Sequence, residues 1–285
     1  HNIAPANANG AYFEAKNLDI SFVVLATDKF KYKNSPPEML IFQGARRYLQ
    51  EHEKNISFSI FELNSKIDEQ NMTNFCKHSE SVIVVGDVEP SYLRRVTKVG
   101  QRIVLVGNVI NGEDDIFFSQ IVSDLKSHCC TALQMLLAYG HKNVALITRG
   151  CDTYEKAFCA MCEELEVKSP AVLRVMESGD ENEMVREVTE RKDLTGLVVL
   201  GDHFSCRLIN ILNNFGCKVP EDKSLVSIGG VDKDDIGVTN LCRINSDFER
   251  MGIEAAKVLF SGARVHKTII GKMELGTTLS WSRDR

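Results

Sequence analysis

The sequence predicts an α/β fold in two lobes, each built around an open parallel sheet. A chain of 285 residues is about two domains long. Eight short apolar, β-branched runs lack the alternation of half-exposed strands, which is typical of parallel strands covered on both faces. Helical periods separate these runs, as in successive βαβ units. The eight predicted strands show no matching sequence repeat, and we expect them to form two sheets, one in each lobe, of about four to six strands.

The strands are predicted from the apolar runs in chain order. Each run has strand length and is followed by a polar or glycine-containing loop. The predicted strands are Ile20–Ala26, Ile56–Phe61, Val82–Val85, Ile103–Val106, Val144–Ile147, Ala171–Val175, Leu197–Leu200 and Leu225–Ile228.

Helix signals lie between and after the strands. Apolar residues at i, i+4, i+7, i+8 and i+11 from Leu125 predict an amphipathic helix. Gly140 follows its last periodic residue, where a left-handed cap favours a residue without Cβ, and Gly216 stands in the same position after a later helix. Ser246 and Glu249 form a capping box that predicts the start of the last long helix.

Composition and charge exclude several functions. The net charge is −5 and no run of Lys or Arg exceeds two, so the chain lacks the basic surface that binding a nucleic-acid backbone requires. No apolar run approaches the roughly 20 residues that span a bilayer. The nine cysteines are an odd number scattered through helical patterns, which favours a reducing, cytoplasmic location. Residues 1–16, rich in small and polar residues, predict a flexible arm.

No catalytic or metal constellation is evident. Zinc-ligand spacing, a Walker loop, GxGxxG and GxSxG are all absent from the sequence. Cys159 and Cys162 share a helical face, which favours packing over redox chemistry. We therefore predict no catalytic residue, no metal, no cofactor and no enzymatic activity.

Polar residues at strand ends are the candidate ligand contacts, because open α/β sheets bind ligands beyond the carboxyl ends of their strands. Asp28 follows the first strand, Asp124 precedes the Leu125 helix, and Asp202 and Asp232 follow later strands. Carboxylates suit sugar hydroxyls, which donate to them. Phe30 offers a ring that can stack on a sugar face. The sequence thus favours a polar, sugar-like ligand.

Two of these carboxylates also have a structural explanation. Asp124 suits a helix N-cap as well as a ligand contact, and one residue can do both. Asp202 likewise suits a cap for a helix beginning near Ser205.

Four segments of the chain together carry a resemblance to a known family. The first runs from Leu133 to Ile147 and contains LLAYGHKNVALI. The second is VVLGDHFSCRLINILNNFGCKVPEDKSLVSIGG, from Val198 to Gly230. LCRINSDFERMGIEAAKVLFSG follows, and MELGTTLSWSR closes the chain. In this order the four segments resemble the effector domain of LacI/GalR transcription regulators, and with the strand pattern they cover nearly the whole chain.

The resemblance implies two Rossmann-like lobes with a ligand cleft between them and three crossings, near residues 140, 243 and 264. The N-terminal lobe would then comprise residues 17–140 and 243–263, and the C-terminal lobe residues 141–242 and 264–285. It further implies a cytoplasmic homodimer that binds a small sugar-like effector. DNA would be bound only by a helix-turn-helix domain preceding this chain, and no membrane partner is expected.

The family pattern also bears on individual site residues. The position of Asp124 borders the effector, and Asp202 matches the Asp of an Asn-Asp pair, although Gly201 replaces the Asn. Tyr154 stands where the family has the Arg of Arg-x-x-Gly-Phe. Arg149, just after a strand, is a candidate to supply a cation instead. The alternative function is a periplasmic sugar-binding protein of a transporter, because the same two-lobed fold serves both uses.

Overall fold

The computed structural model describes residues 20–26, 36–111, 116–175, 181–231, 240–261 and 263–282. Within them the fold is α/β with two six-stranded, mostly parallel sheets, which confirms the predicted fold class. The strands are β1 Ile20–Ala26, β2 Ile56–Glu62, β3 Ser81–Val85, β4 Arg102–Val106, β5 Ser119–Ser123, β6 Val144–Thr148, β7 Ala171–Arg174, β8 Gly196–Leu200, β9 Ser224–Gly229, β10 Cys242–Asn245, β11 His266–Ile269 and β12 Lys272–Glu274. The helices are α1 Pro36–Glu51, α2 Lys66–Cys76, α3 Pro90–Val96, α4 Leu125–Ala138, α5 Asp152–Glu164, α6 Glu181–Glu190, α7 Asp202–Asn214 and α8 Phe248–Leu259.

The first unit comprises the described residues up to Ser123 together with Phe248–Ile269. Its sheet has the order β11-β5-β4-β3-β1-β2, and every neighbouring pair is parallel. One face packs against α1 and α8, and the other packs against α2 and α3. Both faces are therefore buried, as the unbroken apolar strands predict.

The second unit comprises the described residues of Asp124–Asp247 and those from Ile270 onward. Its sheet has the order β12-β10-β9-β8-β6-β7, and only the edge strand β12 is antiparallel to its neighbour. Helices α6 and α7 cover one face, and α4 and α5 cover the other.

All eight predicted strands are present, and each strand end coincides with the predicted end or differs from it by one residue. Four strands were not predicted: β5, β10, β11 and β12. Their sequences, SQIVS, CRIN, HKTI and KME, mix polar and apolar residues. These four segments are strands because they pair with neighbouring strands, and an apolar run in the local sequence does not reveal such pairing.

The borders of the units differ from the predicted crossings near residues 140, 243 and 264. The chain passes from one unit to the other at 123/124, 247/248 and 269/270. Helix α4 belongs to the second unit because its buried face, including Leu133 and Leu136, packs against Leu146 and Val226 of the second sheet. Strand β11 belongs to the first unit because it pairs with β5.

Two helix ends predicted from glycines are confirmed, whereas one helix start predicted from a capping box is not. Gly140 and Gly216 have φ of +88° and +76° and close α4 and α7, as predicted. The capping box of Ser246 and Glu249 was wrong: α8 begins at Phe248, which leaves Ser246 two residues before the helix. In the part of the chain that the structure describes, no helix has the length and apolarity needed to cross a membrane.

Candidate functional site

The candidate site lies at the carboxyl ends of β6, β8 and β9 in the second unit. These strands are parallel neighbours, so the residues that follow them lie side by side. Helices α5 and α7 begin directly after β6 and β8. The edge therefore combines strand-end side chains with the amino-terminal turns of two helices.

Four side chains form what we call the Arg149 cluster: Arg149, Glu181, Phe204 and Arg207. Arg149 follows β6 and donates from Nη2 to Glu181 Oε1 at 2.9 Å. Arg207, on α7, donates to the same oxygen at 2.6 Å. Both guanidinium groups lie over the Phe204 ring, with Cζ 4.6 and 5.6 Å from its centroid. Each guanidinium is thus positioned by a carboxylate and by a ring face.

The Arg149 cluster can recognise a polar ligand. The side chains of Arg149 and Arg207 are 52% and 50% exposed, so N–H donors of both reach solvent. One carboxylate for two guanidinium groups leaves an excess positive charge in this cluster. Arg149 was predicted as a site residue, whereas Glu181, Phe204 and Arg207 were missed. Phe204 and Arg207 are spaced i, i+3 on α7, which is the only signal that pointed to them.

Asp202 has a different role from the one predicted. Its side chain is fully buried, and Oδ1 accepts a hydrogen bond from the Ser227 hydroxyl at 2.6 Å. Oδ2 accepts from the backbone N–H groups of Gly230 and Val231 and from Nη1 of Arg243 at 2.9 Å. A carboxylate enclosed by these donors is not accessible to a ligand. The prediction of Asp202 as a ligand contact is therefore corrected to a buried structural hub.

The helix cap predicted for Asp202 was also wrong. Helix α7 starts at Asp202 itself, and the preceding Gly201, with φ of +97°, occupies the cap position. A Cβ on Gly229 would lie 2.4 Å from the Asp202 carboxylate, so this glycine lets the carboxylate approach the β9 backbone. Arg243 extends the network by donating from Nε to Glu274 at 3.0 Å. The network thus ties α7, β9, β10 and β12 together.

Asp124 is the N-cap of α4. Its Oδ1 accepts the backbone N–H of Ser127 at 2.9 Å, and the residue is partly exposed. Capping engages one carboxylate oxygen. The structure therefore confirms the capping role, and ligand contact by the partly exposed carboxylate stays a prediction.

Tyr154 lies in a buried polar network with His128, a residue that the sequence did not single out. The backbone N–H of Gly271 donates to His128 Nε2 at 3.1 Å, so Nε2 is unprotonated. Nδ1 then carries the proton, and it lies 3.1 Å from the Tyr154 hydroxyl. Burial raises the pKa of Tyr154 and lowers the pKa of His128. The Tyr154 hydroxyl, which was predicted to contact a ligand, therefore forms an internal hydrogen bond with His128 instead.

We predict that His128 makes the protein less stable at mildly acidic pH. Its folded-state pKa lies below the ordinary value of 6.5, so the unfolded state binds more protons. The stability contribution is complete above the unfolded pKa and is lost as pH falls from there through the folded pKa. Urea unfolding measured between about pH 7 and about pH 5 should show this loss, and His128→Gln should reduce it.

His141 and His266 provide the comparison. The pKa of buried His141 is also lowered by burial, but its Nδ1 faces the Thr195 hydroxyl, which can rotate to accept a hydrogen bond from a protonated ring. The Gly271 N–H that faces His128 can only donate. We expect a smaller change for His141→Gln than for His128→Gln. Exposed His266→Gln should leave the pH dependence unchanged. Equal effects of His128→Gln and His266→Gln would contradict this assignment.

The carboxyl ends of the first sheet carry further polar residues that the sequence analysis missed. Asp87 follows β3 and accepts from both the backbone N–H and the side-chain amide of Asn108, which follows β4. Asn111 donates to Glu89 at 2.9 Å. Polar residues at strand ends were the predicted ligand contacts, but these side chains were not among those named.

Asp28, Phe30 and Asp232 lie outside the described residues, so their predicted ligand contacts stay predictions. Among the described residues, no group of three or more His, Cys, Asp or Glu side chains is arranged to hold a metal ion.

Comparison with known proteins identifies one matching family model and several solved structures of similar fold. A model of the periplasmic binding protein-like domain matches residues 133–280, just over half of the chain. No curated protein matches this chain. A LacI family transcriptional regulator, CCPA from Weissella paramesenteroides with bound glucose, has a TM-score of 0.75 and 15% identity over 91% of this chain and 98% of its own.

Two further solved structures are similar. A LacI family regulator from Enterococcus faecium with bound ribose has a TM-score of 0.75 and 16% identity, covering 92% of this chain and 100% of its own. The lac repressor dimer, bound to operator and the anti-inducer ONPF, has a TM-score of 0.75 and 12% identity, covering 94% and 96%. At these identities the likeness is one of fold.

Proposed function

The chain belongs to the periplasmic binding protein-like domain family, and from this we propose that it is the ligand-sensing region of a LacI-like transcription regulator. It binds a small, polar, sugar-like molecule and acts as a sensor, not as an enzyme. The regulators with bound glucose and ribose support this choice by their shared fold. The observation in the chain itself that carries the proposal is the Arg149 cluster at the carboxyl ends of parallel strands.

The chemistry of the cluster suits such a ligand. Hydroxyl oxygens accept from guanidinium N–H groups, and sugar hydroxyls donate to carboxylates such as Glu181 and Asp124. The family has an Arg at the position of Tyr154, and a tyrosine does not supply a positive charge. Arg149 supplies that charge instead. Glu181 and Phe204 restrict the rotation of the two guanidinium groups, so less conformational entropy is lost when a ligand binds.

A ligand screen provides the first test. We expect at least one sugar, sugar phosphate, polyol or nucleobase to raise the melting temperature of the purified chain in a thermal-shift screen, because a ligand that binds the folded state stabilises it. Arg149→Ala should then weaken affinity for the hit about tenfold, as expected for loss of a charge-assisted hydrogen bond. Arg186→Ala, an exposed α6 residue, is the matched control. Equal affinities of the two variants would show that the Arg149 cluster is not the site.

Asp124 requires a pair of variants that separate its two roles. Asp124→Ser keeps an N-cap oxygen for Ser127, so we expect stability close to that of the wild type, with weaker ligand binding because the carboxylate is lost. Asp124→Ala should additionally cost about 1 kcal/mol in unfolding free energy. Urea unfolding and ligand titration measure the two effects. If Asp124→Ser binds the hit as tightly as wild type, Asp124 serves the helix alone.

Regulation would follow from differential binding. We propose that the regulator is a cytoplasmic homodimer and that ligand binding favours one conformation, which changes DNA affinity through an N-terminal helix-turn-helix domain. The lac repressor, a dimer bound to operator, has the same fold. Sedimentation of the chain and gel-shift assays of the full gene product, with and without the screening hit, test this. A monomer at high concentration, with no DNA-binding segment upstream, would contradict it.

The alternative, a periplasmic sugar-binding protein, agrees less well with the cysteines. All nine are free, including the exposed Cys159. Exported proteins reside in an oxidising compartment where exposed thiols pair or oxidise. Fractionation of cells that express the full gene product separates the two functions, since recovery of a cleaved form from an exported fraction would favour the alternative.

A further inference from the structure

A cavity of about 710 Å³ lies at the amino ends of β4 and β5 in the first unit. The carboxyl-terminal ends of α3 and α8 and the residues after them form its walls. It lies at the opposite end of the first sheet from Asp87 and Asn108, which follow the carboxyl ends of β3 and β4. We call it the basic cavity, and its volume is within the range of small-molecule sites.

The charged side chains that line the basic cavity are all cationic: Arg94, Lys98, Arg102 and Arg264. Among the described lining residues there is no Asp or Glu. The chain as a whole has 39 acidic and 34 basic residues, so composition does not explain this grouping. Lys98, Arg102 and Arg264 form no ion pair with any carboxylate in the described residues.

Three of the cations are held in place by the protein. Arg102 donates from Nη1 to the Leu259 carbonyl at 3.1 Å, and Arg264 donates to the carbonyl of Ile116 at 3.3 Å. The guanidinium of Arg94 lies 4.6 Å from the centroid of the Phe117 ring. A guanidinium has five N–H donors, so one backbone bond orients the group without exhausting it.

The neutral polar side chains around the basic cavity are satisfied internally. The Gln101 amide donates to two backbone carbonyls, the Thr97 hydroxyl donates to Leu93, and the Ser261 hydroxyl donates to backbone carbonyls. The Ser119 hydroxyl accepts a hydrogen bond from the backbone N–H of Val265, so most side-chain donors left for a ligand belong to the cations. Phe117 and the partly exposed Phe260 add apolar surface beside them.

We propose that the basic cavity binds a small organic phosphate. Guanidinium groups match the oxygens of a phosphate in bidentate geometry, and the ammonium of Lys98 adds a point charge. The apolar surface of Phe117 and Phe260 accommodates the organic part. This site is independent of the proposed sensing function, because every residue that lines it belongs to the first unit.

The experiment is calorimetric titration of the purified chain with glucose 6-phosphate and AMP, each compared with its unphosphorylated counterpart at millimolar concentration. We expect binding that depends on the phosphate group, so that each phosphorylated compound binds more tightly than its unphosphorylated counterpart. Lys98→Ala and Arg264→Ala should each weaken binding about tenfold, and the double variant should abolish it at these concentrations. Arg102 is left unchanged because its bond to Leu259 also caps α8.

Matched controls separate this site from other basic positions. Lys54→Ala removes an exposed lysine of the first unit outside the basic cavity, and Arg186→Ala removes an exposed arginine of the second unit; both should bind the phosphate esters as wild type. Glu113, Asp114 and Asp115 precede Ile116 in the sequence, and their triple amide variant should bind as tightly or more tightly. The proposal is overturned if no phosphate ester binds, if Lys54→Ala or Arg186→Ala weakens binding as much as Lys98→Ala, if Lys98→Ala and Arg264→Ala leave binding unchanged, or if the amide variant loses it.

Discussion

Asp202→Ala will lower the free energy of unfolding by about 3–5 kcal/mol, because it removes the fully buried one of the two carboxylates that pair with the buried guanidinium of Arg243. The same change removes the acceptor for the Ser227 hydroxyl and for two backbone N–H groups, including that of Gly230. Unsatisfied buried donors add to the cost. Urea unfolding followed by circular dichroism measures the effect, and the midpoint should fall without any ligand present.

Asp152→Ala is the matched control. Asp152 is the first residue of α5 as Asp202 is the first residue of α7, but it is exposed, so we expect a loss below about 1 kcal/mol. In the double variant Asp202→Ala with Arg243→Ala, the loss should be smaller than the sum of the two single losses, because the two side chains interact directly. Wild-type stability of Asp202→Ala combined with loss of ligand binding would restore the ligand role that the structure denies this residue.

Gly252→Ala will destabilise the first unit by about 3 kcal/mol, because α1 and α8 approach each other through glycines. A Cβ on Gly252 would lie 1.9 Å from the Ile41 carbonyl oxygen, and one on Gly44 would lie 2.0 Å from the Glu249 carbonyl oxygen. Backbone atoms cannot rotate away as a side chain can, so the helices must separate. The gain of about 1 kcal/mol in helix propensity from Gly to Ala does not compensate.

The control for this prediction is Arg250→Ala, which places alanine at an exposed position of the same helix. We expect that variant to change the free energy of unfolding by less than about 0.5 kcal/mol. Gly44→Ala should act in the same direction as Gly252→Ala, because it obstructs the same helix contact. Urea unfolding of all three variants decides the matter: if Gly252→Ala is as stable as Arg250→Ala, the helix contact is looser than described.

The sequence alone determined the parallel sheets and the ends of two helices. The apolar runs of six interior strands specified strands buried on both faces, whereas the edge strands β2 and β7 are partly exposed. Gly140 and Gly216 specified helix ends, because their positive φ is unfavourable for residues with a Cβ. These are local properties of the chain, readable without knowing its neighbours.

Tertiary structure decided the roles of the polar residues. Asp202 and Arg149 both follow apolar strands, yet one is enclosed by Arg243, Ser227 and two backbone amides while the other is half-exposed beside Glu181. Their sequence contexts do not separate them, because the partners lie 25 to 41 residues away. The border at Asp124 was decided in the same way, by the sheet that α4 packs against. Burial of a charge depends on distant donors, and only the folded chain brings those donors together.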